Sequence, residues 1–155
     1  MERQQIIKEL KIFFGISELC CPHVTAKWGA TAWQFLSTEF LHTLLILRKN
    51  ILKSPMMCNG GSYTQRGLRC NCCSMVQGKT TPYLSAHVLG CGADFTVSGI
   101  TAEAARELIK ANQHLLPCEI RIEGGVTWLH IDTMHQDTAT KVKDRIHGQV
   151  YEFQV

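Results

Sequence analysis

Two histidines and an aspartate in the second half of the chain have the residue types of a metal site. His87 and Asp94 flank the turn Gly90-Cys-Gly92, and His130 lies farther along, in Trp128-Leu-His-Ile-Asp132. Two imidazoles and one carboxylate supply three of the four ligands of a catalytic Zn²⁺ and leave the fourth position for water. These residues therefore predict a zinc site with an open position, which suits metal-assisted hydrolysis.

The segment that carries His87 and Asp94 is predicted to be a turn leading into a strand. Gly90 and Gly92 permit the positive φ angles of a tight turn. Residues 94–97 have the β-branched and aromatic content of a strand. The turn can therefore direct both ligands at one point.

His130 is predicted to lie in a β-hairpin. Residues 119–123 and 126–132 alternate in polarity and are separated by Gly124-Gly125, which indicates a two-residue turn. A two-residue turn predicts three cross-strand pairs on the polar face: Glu123 with Val126, Arg121 with Trp128, and Glu119 with His130. Asp132 lies on the same face. The opposite face is predicted to pack on the core and consists of Ile120, Ile122, Leu129 and Ile131.

These residues also carry a resemblance to a known family. The pattern Ser-x-His-x-x-Gly-x-x-x-Asp over 85–94, followed by Trp-x-His-x-Asp over 128–132, resembles the zinc D-alanyl-D-alanine carboxypeptidases and related peptidoglycan endopeptidases. These enzymes share a fold with the Hedgehog signalling domain, and phage-encoded members are the most similar. Segments 65–71 and 19–23 extend the likeness over most of residues 17–133. The resemblance implies an α+β domain with a small, mainly antiparallel sheet flanked by helices.

The resemblance also implies residue roles. His87, Asp94 and His130 would bind Zn²⁺, and Ser85 would support the site. Arg69 would bind the carboxylate of the substrate, since the planar guanidinium group can donate two parallel hydrogen bonds.

The implied reaction is hydrolysis of a peptide bond in peptidoglycan stem peptides, by a carboxypeptidase or an endopeptidase. Trp128 and Tyr83 are candidate walls of the substrate cleft. Arg66 lies close to Arg69 in the sequence and is the alternative carboxylate-binding residue.

The catalytic base is where this sequence departs from the family pattern. Many members carry an acidic residue three positions before the last histidine, where this chain has Thr127. Glu123 is the preferred replacement, because related phage sequences carry Glu in that register. In a two-residue hairpin, however, Glu123 would lie about 13 Å along the strand from the position facing His130. Glu119 and Asp132 therefore stay open as alternatives.

The chain contains eight cysteines, which offer a second set of metal ligands. Cys70-Asn-Cys72-Cys73, Cys20-Cys21-Pro-His23 and Cys58 together contain enough thiolates and imidazole for a structural zinc site. Adjacent cysteines, however, rarely both bind one ion, and synthesis in the cytosol argues against a disulfide framework. We therefore expect small buried thiols in a reduced protein.

The composition indicates one domain over residues 1–155. A chain of 155 residues with 45% hydrophobic content can bury a sizeable core, and the net charge of +3 demands no nucleic-acid partner. We expect a monomer. Helices are predicted over Thr31–Asn50, Thr101–Leu115 and, as a short one, Lys141–His147, with a closing strand over Val150–Val155.

No export signal or membrane span is predicted. An amphipathic segment follows Met1, and the apolar run Leu41–Leu47 is too short to cross a bilayer. We expect synthesis in the cytoplasm and action on the cell wall after release, or transport in the virion. Two alternatives to a peptidase are a metal-binding Hedgehog-like module without catalysis and a cysteine-rich zinc domain that binds nucleic acid or protein.

Overall fold

The computed structural model describes residues 1–138, 142–145 and 148–154. The α-helices span Arg3–Leu10 (α1), Ile16–Leu19 (α2), Pro22–Trp28 (α3), Thr38–Ile46 (α4) and Ala102–Ala111 (α5). Turns of 3₁₀ helix cover Gly29–Phe35, Gln113–Leu115 and Gln136–Thr138, and a π-helical turn covers Leu47–Ile51. The strands are Met56–Met57 (β1), Gly92–Val97 (β2), Ile120–Glu123 (β3), Leu129–Asp132 (β4), Val142–Arg145 (β5) and Val150–Phe153 (β6).

The strands form a mixed sheet. Strands β2 to β6 are arranged in the order β2-β4-β3-β6-β5, and the short β1 extends the edge beyond β2. The pairing of β3 with β6 is parallel, whereas the other pairings between these strands are antiparallel. The predicted α+β class and mainly antiparallel sheet are confirmed.

The apolar faces of the helices and the sheet share one core. The β3 and β4 residues predicted to face the core are at most 1% exposed: Ile120, Ile122, Leu129 and Ile131. They belong to the same buried cluster as Ile6 of α1 and Phe40 of α4. The opposite face of these strands is therefore the one that can carry a site.

The predicted helix over Thr31–Asn50 is wrong in its first part. Gly29–Phe35 is a 3₁₀ turn, and Ser37 begins a separate helix by accepting a hydrogen bond from the Phe40 amide at 3.1 Å. The Ser37 amide donates to the Gly90 carbonyl at 2.8 Å. The start of α4 is thus tied to the turn that carries the predicted metal ligands.

The predicted helix over Thr101–Leu115 is confirmed. Thr101 Oγ1 accepts a hydrogen bond from the Ala104 amide at 3.1 Å, and α5 is followed by the 3₁₀ turn Gln113–Leu115.

The predicted short helix over Lys141–His147 is wrong, because Val142–Arg145 is strand β5 and pairs with β6. Backbone partners on a neighbouring strand are not visible in the local pattern of residues. Residues 141, 146 and 147 lie outside the described residues. The closing strand is confirmed over Val150–Phe153, and Val155 also lies outside that range.

The register of β3 and β4 also differs from the prediction. Arg121 pairs with Asp132, and continuing this register places Glu123 opposite His130. The predicted two-residue turn at Gly124-Gly125 and the pairs derived from it are wrong, because residues 124–128 all lie between the strands.

A buried arginine accounts for this longer connection. The guanidinium group of Arg106, on α5, donates hydrogen bonds to the carbonyls of Glu123, Val126 and Trp128 at 3.2 to 3.3 Å. Arg106 is 2% exposed, so these carbonyls satisfy a cation that is removed from water. The loop therefore takes its shape from a helix elsewhere in the chain.

Candidate metal centre and cleft

A cleft of about 530 Å³ opens over the polar face of the sheet. All of the metal ligands, the base and the substrate-binding residues predicted from the sequence line this cleft, including Arg69, Ser85, Glu123 and Trp128. Tyr83 and Phe153 of β6 also line it. The fold thus brings together residues that are far apart in the sequence.

The predicted metal ligands form a compact group, here called the His/Asp/His site. Asp94 and His130 are cross-strand partners in β2 and β4, and His130 Nδ1 lies 2.7 Å from Asp94 Oδ1. His87 Nε2 lies 3.4 Å from Asp94 Oδ2. One ligand atom from each of the three side chains lies within 4.8 Å of the other two. Two imidazole nitrogens and a carboxylate at this spacing fit a single zinc ion.

The His87 ring is oriented by the backbone. His87 Nδ1 lies 2.9 Å from the Gly67 carbonyl, which can only accept, so Nδ1 donates and Nε2 keeps its lone pair for a metal. Gly67 is required at this position, because a Cβ there would overlap the Leu19 carbonyl. The contact between these two backbone segments therefore fixes the carbonyl that holds His87.

The His130 ring is oriented by a buried ion pair. His130 Nε2 lies 2.9 Å from Asp132 Oδ2, and Arg121 donates to both Asp132 oxygens at 2.8 and 2.9 Å. Although burial acts in the opposite direction, the hydrogen bonds from His130 and Arg121 hold the pKa of Asp132 below its usual value. Asp132 is fully buried with its oxygens occupied, which suits a residue that orients His130 better than a general base.

The site concentrates opposite charges away from water. Despite the effect of burial, hydrogen bonds to Asp132 and Asp94 raise the pKa of His130 to about 9. The pKa of Asp94 lies well below its usual value, because its hydrogen bonds to His130 and His87 outweigh burial. The raised pKa favours the protonated form of His130, and metal binding would displace that proton.

Glu123 is the carboxylate best placed to act as a base. It lies opposite His130 in the observed register, lines the cleft and is half-buried. Burial raises the pKa of Glu123 above its usual value, in spite of the opposing charge of His130. The predicted separation of about 13 Å along the strand came from the wrong turn length.

Glu119 and Thr127 do not line this cleft. Glu119 is exposed, and its carboxylate accepts a hydrogen bond from the Tyr151 hydroxyl at 3.4 Å outside the cleft. Thr127, in the longer connection, lines neighbouring cavities instead of this one.

Arg69 lies beside the candidate ligand Asp94. It is 7% exposed, and its Nη2 atom lies 3.6 Å from Asp94 Oδ2. It also borders an adjoining cavity, where Arg66 stacks on Tyr63 and donates to Thr96 Oγ1 at 2.9 Å. Arg66 does not line the main cleft.

Ser85 and Trp128 occupy supporting positions. Ser85 Oγ accepts a hydrogen bond from the Val88 amide at 3.3 Å and stabilises the turn that carries His87. Trp128 is 38% exposed and separates the main cleft from the adjoining cavity.

A second group of side chains that could bind a metal ion lies outside the cleft. Cys21, His23, Cys70 and Cys73, here called the Cys/His cluster, have ligand atoms that all lie within 4.8 Å of one another. The three cysteines are free thiols, and Cys21 and Cys73 are buried as expected, but the fold also brings them together with His23 at metal-ligand spacing. Cys70 and Cys73 form a Cys-x-x-Cys pair, a sequence signal of metal binding that the neighbouring Cys72 obscured.

The expectation of buried thiols is confirmed for two other cysteines. Cys20 and Cys58 are fully buried in the core. Burial raises the pKa of the Cys20 thiol to about 12 and also raises that of Cys58. Both side chains therefore act as small apolar groups.

Comparison of the chain with models of protein families, with curated proteins and with solved structures finds no significant match. None of the helices in the described part of the chain has the length and apolar character that crossing a membrane requires.

Proposed function

We propose that this protein is a zinc-dependent peptidase that hydrolyses a peptide bond in the stem peptides of peptidoglycan, as a D-Ala-D-Ala carboxypeptidase or an endopeptidase. The observation that carries the proposal is the position of Glu123. A carboxylate with a raised pKa lies opposite His130, on the cleft that holds the His/Asp/His site. A metal site of this composition beside a carboxylate that can accept a proton is the arrangement needed for metal-assisted hydrolysis.

The donor atoms of the His/Asp/His site suit zinc. His87 Nε2, His130 Nδ1 and one Asp94 oxygen would hold the ion, and the hydrogen bonds to Gly67 and Asp132 would keep both rings in place. When bound, the ion would supply a Lewis acid for the substrate carbonyl and lower the pKa of the attacking water.

Glu123 would carry the proton in this reaction. Its carboxylate would accept a proton from the attacking water and deliver it to the nitrogen of the leaving amine. Partial burial keeps its pKa above that of an exposed glutamate, which favours proton transfer in both directions near neutral pH.

Arg69 would position the substrate. Its guanidinium group lies at the edge of the ligand group and would bind the terminal carboxylate of the stem peptide with two parallel hydrogen bonds. Trp128 and Tyr83 would form the walls on either side of the peptide. In this proposal the enzyme degrades the bacterial cell wall, after release from the cytoplasm of a phage-infected cell or from a virion.

Digestion of purified peptidoglycan tests the proposal. The zinc-loaded protein, the chelated protein and the chelated protein resupplied with zinc are incubated with it, and the released peptides are identified by mass spectrometry. Products that disappear on chelation and return with zinc support the peptidase and identify the bond. Zinc bound by His87, Asp94 and His130 without any product would favour a binding module instead.

A further inference from the structure

The Cys/His cluster joins two segments that are distant in sequence. Cys21 precedes α3, and His23 lies in its first turn. Cys70 and Cys73 belong to a turn closed by the Cys73 amide, which donates to the Cys70 carbonyl at 3.0 Å. A short parallel bridge connects the two segments, in which the Leu68 amide donates to Leu19 and the Cys21 amide donates to Leu68, both at 2.8 Å.

The separations within the cluster match those of a tetrahedral zinc site. Zinc–sulfur bonds of about 2.3 Å in a tetrahedron place two sulfurs about 3.8 Å apart, and a sulfur and an imidazole nitrogen about 3.6 Å apart. Cys21 Sγ and Cys70 Sγ are 3.7 Å apart, and Cys73 Sγ and His23 Nδ1 are 3.8 Å apart. All three cysteines are free thiols.

We propose that Cys21, His23, Cys70 and Cys73 bind a structural zinc ion, distinct from the ion of the His/Asp/His site. Three thiolates and one imidazole complete a tetrahedron and leave no position for water, which is the composition of a structural site. Cys21 and Cys73 are at most 1% exposed, whereas His23 closes the site from the surface. This inference does not depend on peptidase activity.

The position of the cluster indicates what the ion stabilises. Residues 67–70 lead into the cluster. This segment contains Gly67, whose carbonyl orients His87, and Arg69, which borders the ligand group. Zinc at the cluster would fix the Cys70 end of this segment against the start of α3, while the backbone hydrogen bond from Leu68 to Leu19 holds the other end. The structural ion would therefore hold the backbone that shapes one side of the cleft.

Metal content and cobalt spectra test this second site. The purified wild-type protein is expected to hold two zinc ions per chain, and His87→Ala is expected to hold one. After replacement of zinc by Co²⁺, His87→Ala should show the thiolate-to-cobalt charge-transfer absorption in the near ultraviolet. Oxygen and nitrogen ligands from the His/Asp/His site cannot produce that band, so its presence locates the ion at the cluster.

Variants of the cluster provide the matched comparison. Cys72→Ser changes an exposed thiol between two proposed ligands and should keep the band and the stoichiometry. Cys70→Ser should lose or weaken the band. Because loss of Cys70 could also prevent folding, the surface-exposed ligand His23 provides a second pair of variants. His23→Cys should keep the ion and show a stronger thiolate band. His23→Ala should bind the ion more weakly. Absence of the band in folded His87→Ala, or equal cobalt affinity in His23→Ala and the wild type, would overturn the proposal.

Discussion

Asp94 and His130 are direct partners across the antiparallel strands β2 and β4, and His130 Nδ1 lies 2.7 Å from Asp94 Oδ1. Residues opposite each other in such a pair have Cβ atoms about 5 Å apart, so the strand pairing alone brings these two ligands together. The turn before β2 then adds His87. The geometry of the His/Asp/His site is therefore a property of the sheet and is expected to exist before metal binds.

Removing one ligand should empty this site selectively. His87→Ala removes one of three protein ligands and is expected to lose one of the two bound zinc ions, together with peptidase activity. Zinc per chain is measured by elemental analysis after dialysis. His114→Ala, an exposed histidine in a 3₁₀ turn, is the control and should keep both ions. Two ions in the His87 variant would contradict the assignment of this ligand.

The Asp132 carboxylate should tune metal affinity without binding the ion. Asp132→Asn keeps the side-chain shape but weakens the hydrogen bonds with His130 and Arg121, so zinc affinity is expected to fall by roughly 10 to 100-fold. Competition with a chromophoric chelator measures the change, and circular dichroism verifies folding. If the folded variant binds zinc as tightly as the wild type, Asp132 does not orient His130 in the way described.

Arg69 should recognise a terminal carboxylate. Arg69→Lys keeps the charge but loses the parallel pair of hydrogen bonds, and a hydrogen bond to a charged group contributes about 1.5 to 3 kcal/mol. For a stem peptide with a free carboxylate, KM is therefore expected to rise roughly 10 to 100-fold. For the same peptide with an amidated end, KM should differ little between the variant and the wild type. Arg66→Lys is the control, and a larger effect there would reverse the assignment.

Gly67 should be sensitive to a single added methyl group. In Gly67→Ala the new Cβ would overlap the Leu19 carbonyl, so the free energy of unfolding is expected to fall by about 1 to 3 kcal/mol. The shifted carbonyl should also weaken zinc binding through His87. Gly15→Ala, where a Cβ meets only ordinary contacts at 3.6 Å, is the matched control. Equal denaturation midpoints for the two variants would show that the segment can move without cost.

Local patterns of residue types predicted the buried face of the sheet and identified the candidate ligands of the His/Asp/His site. Alternation identified the buried face that contains Ile120 and Ile122, and ligand chemistry identified His87, Asp94 and His130. The buried face can be predicted without distant contacts, whereas the meeting of Asp94 with His130 depends on the pairing of β2 with β4.

The errors arose where distant contacts decide the structure. Gly124-Gly125 has the composition of a tight turn, but the Arg106 guanidinium holds the connection in a longer loop and moves Glu123 opposite His130. The Cys70-x-x-Cys73 spacing is local, but a backbone bridge between residues 20 and 68 is needed to bring Cys21 and His23 to it. Pairing with β6 likewise made a strand of Val142–Arg145.

The most direct test of the account compares wild-type protein and Glu123→Gln, both fully loaded with zinc, in the digestion of purified peptidoglycan. The variant keeps the ligands and the shape of the cleft but cannot accept a proton, so peptide release is expected to fall by about 100-fold or more. Glu119→Gln, an exposed control on the same chain segment, should digest at the wild-type rate. Full activity of zinc-loaded Glu123→Gln, or no products from the wild type, would contradict the central claim.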